Sequence, residues 1–129
     1  MEIRLRAALL DWLRADQLLS AQLNAIVEEA PARTSLPWLA IAASASTDWS
    51  TKSGAGREIR IALELHCRGD APAAAADLVT AIEARIAALP AAQTGFSIVS
   101  SRFLRARAEQ RGESRRAVLI EYAFRVLAH

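Results

Sequence analysis

Two histidines and one cysteine are the whole supply of imidazole and thiol in this 129-residue chain, and His66 and Cys67 are neighbours. A nucleophile and its base must meet within hydrogen-bonding reach. Adjacent residues of a strand point to opposite faces, so a strand through this segment keeps His66 and Cys67 apart. His129 lies at the far end of the sequence, and nothing has zinc-ligand spacing. Glu28 and Glu29 are adjacent on an extended piece and point apart. Glu58 and Glu64 share a face but stand about 20 Å from each other, too far to cooperate. Gly54-Ala55-Gly56 lacks both the GK[ST] and the following helix of a phosphate loop. The reading is therefore not an enzyme: no catalytic residue, no metal, no cofactor. His66 reads as a solvated residue on the outer face of a strand, and Cys67 as a small inward-facing core residue.

What remains is charge. Arg102, Arg105, Arg107, Arg111, Arg115 and Arg116 lie within fifteen residues, against Glu109 and Glu113. Six against two leaves +4 there, although the whole chain carries only +2. The segment flanks a predicted turn at Arg111–Gly112, so its arginines are expected to project together from the body. A concentrated cationic element suits polyanions or acidic protein surfaces. The plainer reading is a solvated hairpin whose arginines pair with Glu109, Glu113 and neighbouring strands. Were nucleic acid the partner, contact would be electrostatic and sequence-blind, because no aromatic is interleaved after Phe103 and no helix-turn-helix or RNP-like signature is present. A small nucleic-acid-binding module using Arg102–Arg116 is thus the alternative function.

Among the aromatics, Trp12 fits a helix stripe and Trp38 a strand, and both are expected in the core. Trp49 sits in the polar TDWSTKSG segment. It either tucks back under the sheet or anchors an interface, a role in which Trp is enriched.

These residues need a scaffold, and the length allows one domain, residues 1–129, with one real core. The apolar fraction, 53%, is high for so small a protein and points to surface covered by partner subunits. Arg outnumbers Lys fifteen to one, and its planar fork suits interfaces. A single cysteine excludes an internal disulfide, and no apolar run approaches the eighteen residues of a membrane span.

Leu5, Ala8, Leu9, Trp12 and Leu13 have helical spacing over 3–15. Asp16 is placed to cap a short second helix to about Leu23. An extended piece at Ala25–Glu28, a loop at 31–36 and a strand from Trp38 to Ser46 follow, then a flexible connection over 47–56. Ile59, Ile61, Leu63, Leu65 and Cys67 alternate with polar residues, the mark of a half-buried strand. Asp70 is the expected cap of a helix to Leu89 whose stripe is Ala75, Leu78, Val79, Ile82, Ile86 and Leu89. Phe96–Ala108 is extended, with Val99, Ser101 and Phe103 on one face and Ile98 and Leu104 on the other. The last strand, Ala117–Leu127, is apolar on both faces, so it is central or meets another subunit. The fold class expected is α+β: a two-layer sandwich, mostly antiparallel, with helices on one face.

The same residues resemble the tail-completion proteins of tailed phages, the tail terminators, found also in gene transfer agents. The likeness runs through Asp16, Leu18-Leu19 and Ile26-Val27-Glu28-Glu29-Ala30-Pro31, then Leu36-Pro37-Trp38-Leu39-Ala40-Ile41. It continues through Thr47-Asp48-Trp49-Ser50-Thr51-Lys52, Gly56-Arg57-Glu58, the strand to His66, and the Arg111-Gly112 turn with Ala117–Arg125. Cys67 departs from it, standing where an aromatic is expected. The resemblance implies a lambda-type tail terminator fold and a structural role in the particle tail, after assembly in the bacterial cytoplasm. It implies a homo-oligomeric ring, usually of six subunits, that caps the head-proximal end of the tail tube. The ring stops tube growth and offers a surface to head-completion (stopper) proteins, with DNA passing through its lumen and no membrane involved. A ring uses heterologous interfaces, which fits the excess apolar surface. Asp48, Trp49, Lys52, Arg107, Arg111, Arg115 and Arg116 are the expected subunit or ring contacts.

Overall fold

The computed structural model describes residues 1–129 apart from Ala32, Ala71 and Glu113. Its elements follow in the order α1 (Glu2–Arg14), α2 (Gln17–Gln22), β1 (Ile26–Val27), β2 (Trp38–Asp48), β3 (Gly56–Arg68), α3 (Pro72–Ala87), β4 (Ala92–Gln93), β5 (Phe96–Gln110) and β6 (Arg115–Ala128). The fold is mixed α+β. Six strands form one curled sheet in the order β1-β2-β3-β6-β5-β4. Among the described residues only β1 and β2 pair in parallel.

Hydrophobic alternation fixes the register at the centre. Ile59, Ile61, Leu63 and Leu65 stand opposite Phe124, Tyr122, Ile120 and Val118, all in one buried cluster. The helices supply Leu5, Leu9, Leu10 and Leu13 from α1, Leu19 from α2, and Leu78, Ile82 and Ile86 from α3 to the same cluster. Each such side chain, fully buried, contributes roughly 1.5–3 kcal/mol. A one-residue slip of β3 would turn this whole set outward, which is why the pattern specifies the pairing.

The α1–α3 seam has a polar clamp. Trp12 Nε1 donates to the Arg85 carbonyl at 2.7 Å, and Arg85 Nε donates back to the Trp12 carbonyl at 2.8 Å. The guanidinium lies 3.4 Å from the indole centroid. Trp12 is therefore a half-buried seam residue and not the core residue its spacing suggests. Trp38 is buried, but on the opposite face of the sheet from the main cluster, stacked on His66.

Several boundaries move. β2 extends to Asp48, so part of the expected flexible connection is strand, and Thr51–Gly54 closes a small turn. Gly56 is required where it stands: a Cβ there would come within 2.5 Å of the Trp49 carbonyl. Asp16 precedes α2 without a side-chain capping bond. α3 is described from Pro72; the expected cap, Asp70, is separated from it by Ala71, which lies outside the described residues.

The expected faces of β5 hold only in part: Ser101 and Phe103 share a face, but Ile98 stands on it with them. Bulges between Ile98 and Ser100, and between Phe103 and Arg105, shift the phase twice. Ile98, Ser101 and Phe103 thereby stand opposite the inward Val126, Phe124 and Tyr122, which strict alternation cannot produce. β6 lies between β3 and β5, so its two apolar faces reflect a central position.

Candidate functional site

The candidate contact residues fall at two opposite ends of the sheet. Asp48 pairs with Arg57 at the end where β2 turns into β3. Trp49 and Lys52 belong to that turn. Arg115 pairs with Arg68 at the other end, eleven residues along β3, or about 36 Å at strand rise. Arg111 and Arg116 stand there too, and Arg107 a few residues further in. The structure brings Asp48, Trp49 and Lys52 together, and separately Arg107, Arg111, Arg115 and Arg116. It does not join the two groups.

At the first end, Ser50 Oγ donates to Asp48 Oδ1 at 2.7 Å and Trp49 N donates to the Gly56 carbonyl at 2.9 Å. Trp49 is half-buried, with the Arg125 guanidinium 5.3 Å from its ring centre. Lys52 is fully at the surface of the turn.

At the second end, the hairpin tip does not project alone. β3 runs beside β6 as far as Arg68, and Gly69 N donates to the Ser114 carbonyl at 2.7 Å. Three strands therefore end together. Gly112 and Ser114 make the turn with positive φ, 72° and 53°. Three of the six arginines are paired. Arg111 reaches Glu109 at 2.9 Å and Glu64 at 3.2 Å, Arg107 reaches Glu109 at 2.9 Å, and Arg105 pairs with Glu121. The Arg111 hydrogen bond holds the Glu109 carboxyl below its ordinary range, and the Arg105 bond does the same for Glu121. Exposed pairs of this kind add little to stability. They fix side-chain direction more than they stabilise. Glu113, expected as a further partner, lies outside the described residues. Arg102, Arg115 and Arg116 have no ion-pair partner among the described residues.

Cys67 is buried, facing away from His66, and burial pushes its thiol up. Among the described residues no cluster of His, Cys, Asp and Glu is arranged to hold a metal ion, and no helix is long and apolar enough to cross a membrane. An open concavity of about 690 Å³ lies against α1, with Arg4, Asp11, Trp12 and Gln93 among its polar groups.

Residues 7–127 match the family described as "Tail completion protein gp17". The chain belongs to that family. It is thus a structural protein of a phage-type particle, and its place is the particle tail. A solved chain from "Virion of native gene transfer agent (GTA) particle" superposes with a TM-score of 0.80 at 22% identity, over 97% of this chain and 96% of that one. At that identity the likeness is one of fold. No curated protein matches the sequence.

A tail completion protein works through its surfaces, and the sheet face away from the helices is the one that sequence reasoning described least well. Cross-strand neighbours there form charged rungs. Glu58 pairs with Arg125 at 3.3 Å and Arg105 with Glu121, and from beyond the end of β5 Arg111 reaches past β6 to Glu64. Between them lie small residues, Ala43, Ala45, Ala62 and Ala123. His66 is not solvated. Trp38 stacks over its ring at 4.0 Å, its Nε2 contacts Glu64, and Nδ1 is buried without a partner among the described residues. The Trp38–His66 pairing needs the β2–β3 register, which residue types alone do not supply.

Proposed function

We propose that the chain forms a ring, six-fold in the first instance, that caps the head-proximal end of the tail tube. There it ends tube polymerisation and presents the surface to which head-completion proteins join. The family match over nearly the whole chain carries this reading. The ring, its six-fold order, the terminating role and the lambda-type two-layer sandwich are its finer parts. The two-ended layout fits it: a capping ring needs one face toward the tube and another toward the head, and the candidate residues lie at opposite ends of the sheet. Asp48, Trp49 and Lys52 serve one face, and Arg107, Arg111, Arg115 and Arg116 the other, with DNA passing through the lumen without sequence readout. Assembly takes place in the bacterial cytoplasm, without catalysis.

The nucleic-acid module is the weaker reading. Arg105, Arg107 and Arg111 are committed to carboxylates, which lowers the positive charge available to phosphates.

Reversing the charge of Arg111, Arg115 and Arg116 together tests the assignment. The expected outcome is normal folding of the subunit with loss of head–tail joining, seen as separate heads and tails by electron microscopy. Joined particles at the normal yield would remove these residues from the joint.

A further inference from the structure

The sheet is left open on both sides over the same stretch. On one side β1 covers β2 only at Leu39 and Ala40, so residues 41–48 have no outer strand. On the other, β4 covers β5 only at Phe96 and Ser97, so β5 has none from Ile98 onward. Following the cross-strand partners through β3 and β6, Asp48 shares a level with Ile98, Ala45 with Arg102, and Ala43 with Arg105. The two free edges therefore lie at the same height of the sheet. Each also bends there: β2 bulges between Ile41 and Ala43, and β5 between Phe103 and Arg105.

Free edges of this length are ordinarily blunted with proline, charged side chains, bulges or an inward-pointing charge; these edges carry bulges and the outward arginines of β5, but β5 carries neither of the other two devices. Residues 41–48 and 98–108 contain no proline. The β5 residues on the helix side are Ile98, Ser101, Phe103, Ala106 and Ala108, by their partners on β6, so none is charged. Two large apolar side chains of this edge, Val99 and Phe103, are about half exposed (52% and 46%). Direction agrees as well. β2 is antiparallel to β3, β3 to β6 and β6 to β5, so β5 runs opposite to β2. A β5 edge set against the β2 edge of another copy makes an antiparallel pair like every long pair already in the sheet. Sizes fit too, since large Arg102 and Arg105 come beside small Ala45 and Ala43.

We infer that the occupant of each edge is a second copy of this chain, β5 of one subunit hydrogen-bonding to β2 of the next. This rests on the ring reading and specifies its subunit joint. The contact is heterologous, front to back, as a closed ring requires. It makes one continuous antiparallel wall, with helices on one surface and the charged rungs on the other. It also satisfies the backbone groups that both edges leave open.

The test uses full-length protein in assembled particles, with Cys67→Ala removing the native thiol. Ala45→Cys with Arg102→Cys, and separately Ala43→Cys with Arg105→Cys, are oxidised and run without reductant. The joint predicts a ladder of disulfide-linked multimers from a double variant and only dimers or less from each single one. In parallel, hydrogen exchange on the unsubstituted protein should show alternate amides of 99–107 and 42–47 slowed about tenfold or more on assembly. Ring-bearing particles with no ladder from either pair and unchanged exchange overturn the joint but leave the ring standing. Slowed exchange without a ladder gives the edges to a different chain and also overturns it. Particles in which the protein is present but forms no ring remove both readings.

Discussion

β5 and β6 are two arms of one hairpin, yet they live in different surroundings. β6 has a strand on each side and helices over one face, and Ile120, Phe124 and Val126 are wholly buried. β5 is buried only at its start, at Phe96 and Ile98, and then leaves the cover of the helices. Beyond that point Val99, Phe103, Ala106 and Ala108 are exposed. The difference separates two uses of apolar residues. Those of β6 hold the subunit together. Those of β5 contribute little within one copy, which leaves them available for contact with another.

Truncation should split the two arms most strongly. Phe124→Ala removes a wholly buried ring and is expected to cost roughly 3–5 kcal/mol in a urea titration. Phe103→Ala loses mainly the edge-on contact with Tyr122, 5.7 Å between centres, and should cost no more than about 1.5 kcal/mol. It should nevertheless lower incorporation into particles. Equal losses of stability from the two would show that β5 is as much part of the subunit core as β6, and the contrast would fail.

A smaller effect sharpens the same contrast through pH. Burial raises the Tyr122 phenol from 10.0 to about 12. The unfolded chain then gives up its proton first. The contribution to stability is complete below pH 10 and is lost as pH rises toward 12. Tyr122 is the only tyrosine, so tyrosinate absorbance reports it alone. An onset near pH 10 in the folded protein would put Tyr122 in water, on the exposed side of the contrast.

Legibility followed the same division. β3 and β6 could be read from the sequence because one covering layer imposes a two-residue period on them, and α3 because its stripe faces that sheet. β5 could not, since each bulge adds a residue and reverses the faces beyond it. His66 faces outward as its alternation predicts, but its burial and the outward side taken by Trp38 were not legible. Both are outward-facing, and His66 is buried only because Trp38 stacks on it from the next strand. The candidate contact residues are exposed or half-buried, but their division between two ends depends on strand register. That the arginine turn is shouldered by β3 depends on the order β3-β6-β5, which no local pattern encodes.

The central claim is a ring at the junction of head and tail, and imaging whole particles that carry this protein with a small label tests it most directly. The account predicts label in a closed ring, six copies around the axis, at the head-proximal end of the tail tube. Label at the distal tip, along the tube, or absent from the junction of joined particles would contradict it.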